Sequence, residues 1–461
     1  LEDLATPSDP EPEPAMNAKT LLVRNLASAM LATEWSFVSL RSAAMGVLGV
    51  DKPPPWLSAC IDEILASWPP AVPPSHRTLA KMIACAPDFD DVWRDPAKRP
   101  RLAKIVTARA RFAPIANFEA LGLPEFTQIS ELADWLGISV GMLQWLADAE
   151  GYRTRGGTAN HYSHAWIARR TGPPRLIEAP KPILKDLQRQ ILRSILDRVP
   201  IHDAAHGYRP GRSCRTAAQI HAGEVVVLCA DLKDFFLSVP LGRVHATFRS
   251  LGYPAIVASV LTGLCSTATP HSVLAGTPEG LALDGERRGL YEQRHLPQGA
   301  PTSPALANFC AWRFDCRLEA LAQRLDARYT RYGDDLAFSG GAELARRVDR
   351  VVPLLHRIAL DCGFRLNPRK TRVMTQGRCQ RLLGLVINQH INVPRERYER
   401  LKAILHNCRR HGPSSQNRDS HPRFRDCLQG EVAWVESVNP RKGLRLRAMF
   451  DAVDWTGRQS P

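Results

Sequence analysis

Two adjacent aspartates between two β-favouring segments constrain this chain more than any other feature. Residues Ala327-Arg328-Tyr329-Thr330-Arg331-Tyr332 lead into Gly333-Asp334-Asp335 and then Leu336-Ala337-Phe338-Ser339. The pattern predicts strand, tight turn, strand. Such a hairpin sets a carboxylate at its tip, where oxygen ligands can hold a hard divalent cation. A second acid ends another strand: Glu224-Val225-Val226-Val227-Leu228-Cys229-Ala230-Asp231 is short, apolar and β-branched, like a strand buried on both faces. A carboxylate there is costly unless it is paired or binds metal. Asp231, Asp334 and Asp335 therefore predict a three-carboxylate cage for two Mg²⁺ ions, with Mn²⁺ as a substitute. Two metals about 4 Å apart can activate an attacking 3′-hydroxyl and neutralise a leaving pyrophosphate. The chemistry expected is nucleotidyl transfer.

Further blocks follow in order between about Leu121 and Trp455. They are Pro174-Arg175-Leu176-Ile177-Glu178-Ala179-Pro180, Ala205-His206-Gly207-Tyr208-Arg209-Pro210-Gly211-Arg212-Ser213, Leu296-Pro297-Gln298-Gly299-Ala300-Pro301-Thr302-Ser303-Pro304, Asn367-Pro368-Arg369-Lys370-Thr371 and Leu382-Leu383-Gly384-Leu385-Val386-Ile387-Asn388. With the aspartate blocks they resemble a bacterial reverse transcriptase of the retron type. The resemblance implies an α+β right-hand polymerase: fingers, a palm with an antiparallel sheet and a helical thumb, preceded by a mostly helical N-terminal extension. The expected divisions are a disordered leader over 1–15, the helical extension over 16–120, fingers and palm over 121–388, and a basic helical thumb over 389–461. The implied activity is RNA-directed DNA polymerisation in the cytoplasm. A structured non-coding RNA is copied into single-stranded DNA from dNTPs, in anti-phage defence, with an effector or toxin protein as a further partner.

The same resemblance distributes roles. Arg175, on a fingers hairpin turning at Thr171-Gly172-Pro173-Pro174, binds the incoming triphosphate, with Arg169 as a second contact. A guanidinium suits this because it forks onto phosphate oxygens and stays charged. Gln298 meets the nucleotide sugar, and Gly299 lets the backbone approach closely. Lys370 lies near the leaving pyrophosphate, as proton donor or charge stabiliser. Arg209 and Arg212 either reach template phosphates or brace the fingers. Phe236, five positions beyond Asp231, stands where RNA polymerases tend to carry a polar residue for the ribose 2′-hydroxyl. A bulky apolar ring offers that hydroxyl no partner and favours dNTPs. This residue separates the classes, because Tyr-Gly-Asp-Asp is also a signature of viral RNA-dependent RNA polymerases, and retron enzymes more often carry Ala in place of Gly333. Asp234 reads as a helix cap or surface residue and stays off the metal list.

One departure opens alternatives. Retron enzymes usually show Val-Thr-Gly where this chain has Leu382-Leu383-Gly384. That leaves a defence-associated reverse transcriptase outside the retrons; a group II intron-like enzyme and an RNA-binding scaffold restraining a toxin stand as separate alternatives.

Charge supports a polyanionic partner. Net charge is +15, and Val351 to Pro461 carries 21 basic and 9 acidic residues, leaving only +3 for the first 350. Lys and Arg on phosphates make binding strongly salt-dependent. The eleven cysteines lack a Cys-x-x-Cys pair, which argues against a zinc site or a disulfide framework; Cys229, Cys265 and Cys310 read as core residues in a reducing cytosol. No uncharged stretch of about 20 apolar residues appears, so no membrane span is expected. Helical spacing marks Ala18 to Leu48 and Trp56 to Trp68. Leu184, Leu187, Ile191, Ile195 and Val199 form one apolar stripe. Around Ile129 to Ser139, Ser130 or Ser139 caps a helix and Gly137 makes a turn. Residues 266–294 read as a surface hairpin or loop, and Pro394 to His406 and Phe424 to Trp455 as thumb helices.

Overall fold

The computed structural model describes residues 18–67, 74, 76–104, 111–148, 160–168, 174–277 and 283–455. The acidic leader, Arg169 and residues 171–173 of the expected fingers turn lie outside them. The chain divides into two compact units, Leu1–Val199 with Pro240–Thr302 and Pro200–Val239 with Ser303–Pro461. Helices and antiparallel sheets combine as the α+β class requires.

In the first unit, the helices Ala18–Leu31, Phe37–Leu48, Pro55–Ser67, His76–Cys85 and Pro87–Arg94 close around a core of their own, with Leu26, Leu40, Leu57, Ile61 and Phe89 fully buried. Ser36 caps the second helix by accepting from the Ser39 amide, which divides the run expected over Ala18 to Leu48. Helix Ile129–Leu136 ends at Gly137 (φ 71°), and Ser139 caps helix Val140–Ala147. Gln128 with Glu131, rather than Ser130, closes the start of the first helix as a capping box. Strands β1 (Tyr162–Ile167) and β2 (Arg175–Pro180) pair antiparallel, with Ile167 opposite Arg175 next to the turn. All five residues of the Leu184 stripe are buried. The helix beneath them runs Pro182–Ser194 and tightens into a 3₁₀ turn at Leu196–Arg198.

The described residues 266–277 and 283–294 are more ordered than a surface loop. Thr267 bridges His295, and short helices form at His271–Ala275 and Gly285–Glu292, the latter capped by Asp284. Leu274 and Tyr291 are buried, anchoring a polar stretch by two apolar side chains.

In the second unit a four-stranded antiparallel sheet runs in the order β4 (Ala327–Tyr332), β5 (Asp335–Gly340), β3 (Val226–Asp231), β6 (Arg372–Thr375). Every residue of β3 is buried, as its unbroken apolar run predicts. One core joins the sheet residues Val227, Cys229, Ala337 and Met374 to the helices Arg395–His411, Phe424–Val438 and Pro440–Asp451. The last two helices divide at Asn439, which caps the third; Pro440 fits at its first turn. All eleven cysteines are free thiols, with Cys229, Cys265 and Cys310 buried.

His221 ties this sheet together. Its Nδ1 lies 2.7 Å from Ser339 Oγ and its Nε2 2.8 Å from Thr330 Oγ1. Burial, then the nearby His206 and Arg328, pushes its pKa from 6.5 down to about 3. The unfolded chain therefore takes up the proton first. Stability should fall as pH drops below the ordinary histidine value, by at most about 1.4 kcal/mol per unit from this group, and level off at the folded value. Urea unfolding between about pH 7 and about pH 5 should show the midpoint falling on acidification, with a shallower fall in His221→Gln.

Candidate active site

The turn between β4 and β5 is Gly333-Asp334, closed by the Tyr332–Asp335 pair. Gly333 has φ 64°. A positive φ at the first central residue alone is the pattern of a type II′ hairpin turn. On the other side of β5, Asp335 stands directly opposite Asp231. The Leu232 amide donates to the Asp334 carbonyl at 2.8 Å, fixing the end of β3 to the turn. Strand register thus brings together the three aspartates the motifs pointed to.

Their electrostatics are those of crowded like charges. Loss of water and the neighbouring charges of Asp334 and Asp231 push Asp335 up to about 6, against the lowering influence of Lys370 and Arg372. Asp231 is raised as well, by burial first and then by Asp334, against the lowering hydrogen bond from Lys370. Lys370 Nζ donates to Asp231 Oδ2 at 2.7 Å with its side chain 53% exposed. The expected lysine thus stands on a carboxylate. Among the described residues no group of three His, Cys, Asp or Glu side chains is drawn into a closed cage. The donor set still suits a hard cation: carboxylate oxygens whose mutual repulsion a divalent ion would relieve.

The support of this turn was not foreseen. Arg331, fully buried, donates from Nε and Nη2 to both oxygens of Asp315, at 2.8 and 2.6 Å. Its Nη1 donates to Asn308 Oδ1 at 2.8 Å and to the Gly333 carbonyl at 3.2 Å. Asn308 Nδ2 in turn donates to the Gly207 carbonyl at 3.0 Å. Tyr329 adds a hydroxyl donor to Asp315 at 2.8 Å. A readable sign existed: Asp315 shares a helical stripe with Leu318 and Ala322, and an acid on an apolar stripe calls for a buried cation.

Segment 204–207 runs along β4, with the Arg331 amide donating to the Ala204 carbonyl and the His206 amide to the Arg331 carbonyl, both at 2.7 Å. A Cβ on Gly207 would stand 2.5 Å from the Gly333 nitrogen, so glycine is required there. Tyr208, in a left-handed conformation (φ 59°), lays its ring over Gly333 and 6.0 Å from the ring of Phe236. Asp234 adopts φ 51° in the turn after β3 and does not cap a helix.

Arg209 donates to the His202 carbonyl and to Asp203, both at 3.3 Å, and Arg212 lies 4.0 Å from Asp203. These contacts are of the bracing kind. The Leu382-Leu383-Gly384 block forms a hairpin between β7 (Arg381–Leu382) and β8 (Leu385–Val386).

Arg175 and Gln298 belong to the first unit. Arg175 is exposed at the start of β2. Behind it, buried Glu178 accepts from Thr269 at 2.8 Å and lies 2.7 Å from His295 Nε2. His295 and the other hydrogen bonds outweigh burial and hold the Glu178 carboxyl at about 2. The Glu178 amide donates to the Gln298 carbonyl at 2.8 Å, and a Cβ on Gly299 (φ 135°) would meet the Glu178 carbonyl at 2.9 Å. The buried pair therefore fixes the Gln298-Gly299 backbone against β2.

Comparison with known proteins identifies the family. The family model Reverse transcriptase (RNA-dependent DNA polymerase) matches residues 167–387. The retron Mx162 reverse transcriptase of Myxococcus xanthus is 37% identical over 357 residues, covering 74% of this chain and 70% of that protein. The retron Mx65 enzyme of the same organism is 37% identical over 367 residues, 77% and 80% of the two chains. The retron Ec86 enzyme of Escherichia coli is 30% identical over 332 residues, 71% and 89%. A solved telomerase from Candida albicans reaches a TM-score of only 0.34 at 12% identity, over 62% of this chain and 56% of that one. The chain belongs to the retron reverse transcriptases, and with them to the right-hand polymerase fold class.

Removing one member of the buried pair strands the other. Arg331→Met should destabilise the protein by about 3–5 kcal/mol in denaturant unfolding. Asp315→Leu with Arg331→Met should recover much of that loss. Primer extension by the double variant should stay low, because the Gly333 carbonyl has lost its donor.

Proposed function

We propose that this RNA-directed DNA polymerase copies a structured non-coding RNA into single-stranded DNA by two-metal nucleotidyl transfer, in retron-type anti-phage defence. The observation that carries the reading is the cross-strand pairing of Asp231 with Asp335 beside Asp334. When bound, two Mg²⁺ ions lower the pKa of the attacking hydroxyl and neutralise the departing pyrophosphate. Asp231, Asp334 and Asp335 would hold them, with Mn²⁺ as a replacement. Lys370, leaving Asp231 for the pyrophosphate, supplies a positive charge or a proton there. Arg175 and Arg169 clamp the triphosphate, Gln298 meets the sugar, and Phe236 closes the space a 2′-hydroxyl would need. Arg209, braced on the His202 carbonyl and Asp203, steers the template.

Eleven free thiols agree with a reducing cytoplasm. Among the described residues no helix is long and apolar enough to cross a membrane. An effector acting with the polymerase would be a separate protein or the N-terminal extension.

The test is to purify the protein with RNA from its native locus and sequence the bound nucleic acid, beside Asp334→Ala/Asp335→Ala. A discrete single-stranded DNA, absent from the double variant and retaining a branched RNA nucleotide after RNase, is expected. DNA without a branch would make it a defence-type enzyme primed otherwise, and equal RNA with no DNA in both would sink the polymerase reading. In steady-state assays, Phe236→Ala should raise kcat/KM for rNTPs relative to dNTPs by at least about tenfold.

A further inference from the structure

A second basic site lies away from the aspartates. Within the second unit a cavity of about 610 Å³ is lined by Arg212, Arg215, Arg328, Thr216, Gln219 and Ser437 among others. Among the described residues no acidic side chain lines it. Arg328 is opposite Ser339, at the end of β4 remote from the aspartate turn. Four residue steps of strand take it to Tyr332, a run of about 14 Å at strand rise. The cavity is therefore distinct from the catalytic carboxylates.

Its charge is only partly balanced. Arg328 reaches Glu224 at 3.0 Å with its side chain 61% exposed, and Arg212 reaches Asp203 at 4.0 Å. Arg215 donates to the Ser437 carbonyl at 2.6 Å, near the end of helix Phe424–Val438, a neutral partner that leaves its charge uncompensated. The positive field reaches inward. His206, 2.8 Å from Thr216 Oγ1, is kept at about 4 by its burial and by Arg212 and Arg209. Gln219 and Thr216 add polar groups, and Ile220 and Ile391 supply an apolar floor. Planar guanidinium forks above such a floor suit phosphate oxygens with a ribose resting beneath.

We propose that this cavity seats the backbone of an RNA strand, the part of the bound RNA that is not being copied. The site rests on the reading of the enzyme as a polymerase that carries RNA. Its three guanidiniums contact phosphates without reading bases, so it orients a folded RNA while the template end reaches the aspartates.

The test uses the full chain, a labelled RNA hairpin of about 20 base pairs and a short primer–template. Arg215→Gln/Arg328→Gln should weaken hairpin binding about tenfold and reduce the slope of log K against log salt by about two, one per lost phosphate contact. Extension of the short primer–template should keep its kcat and KM. Arg215→Lys/Arg328→Lys should restore the salt slope. In the wild type, photocrosslinked RNA should map to peptides covering residues 212–220. Unchanged hairpin affinity and slope, or crosslinks found elsewhere but not in 212–220, would overturn the site and leave the cavity to a protein partner. Failure of the wild type to extend any primer would instead overturn the polymerase reading.

Discussion

A guanidinium with no solvent exposure is the constraint around which the second unit is arranged. Taking Arg331 out of water costs several kcal/mol even after relaxation, so its whole hydrogen-bonding fork must be satisfied. Asp315 takes two arms, and Asn308 and the Gly333 carbonyl share the third nitrogen. The ring of Phe235 covers it at 5.6 Å. Each of these partners neighbours a motif: Asn308 follows the Gln298 block, Gly333 makes the aspartate turn, and Phe235 precedes Phe236. Through Asn308 the network also grips Gly207, against which the turn packs. Breaking the ion pair therefore affects the turn itself as well as global stability. A buried pair of this kind adds little net stability, and its value here lies in admitting one geometry of the hairpin tip.

That tip holds charges that oppose one another. Asp335 and Asp231 face each other across the strands, and both are raised above ordinary carboxylates. Lys370 on Asp231 supplies part of the compensation from a half-exposed position. Under the proposed mechanism Lys370 would be free to leave Asp231 once the carboxylates held divalent cations. The site is thus strained by repulsion: the same crowding that raises these carboxyls is what a divalent cation would relieve.

The features that could be read from the sequence were those encoded locally. The buried run ending at Asp231 and the Tyr332-Gly333-Asp334-Asp335 turn follow from period-two patterning and from glycine's access to positive φ. The Leu184 stripe follows from helical spacing. Arg331 was unreadable by that logic, since an arginine in a strand suggests a solvent face, and Asp315 lies on a helix sixteen residues away. The short helices His271–Ala275 and Gly285–Glu292 have no local signal because a polar composition conceals their buried anchors, Leu274 and Tyr291. Ser130 lost the cap to Gln128 because Glu131 takes the third helical position of a capping box only when the cap stands two residues before Ser130. Likewise, the Glu178–His295 pair that fixes the Gln298 backbone joins residues far apart in the chain and gives no local signal.

The two hairpins of the second unit treat strain differently. At Gly333 the left-handed residue is a glycine, and the turn is unstrained. At the β7–β8 turn both central residues have positive φ, Leu383 at 50° and Gly384 at 80°, as a type I′ turn requires. A leucine in that conformation costs about 1–2 kcal/mol. Its side chain is half-buried against the core that includes Leu382, Leu385 and Ile387, which offsets the strain. The threonine that retron enzymes usually carry at this position would present a hydroxyl at the turn; leucine replaces it with a packed apolar group. An apolar tip cannot hydrogen-bond to RNA. If RNA is recognised in this unit as proposed, the turn offers it no side-chain partner, and the guanidiniums of the arginine-lined cavity would supply the contacts.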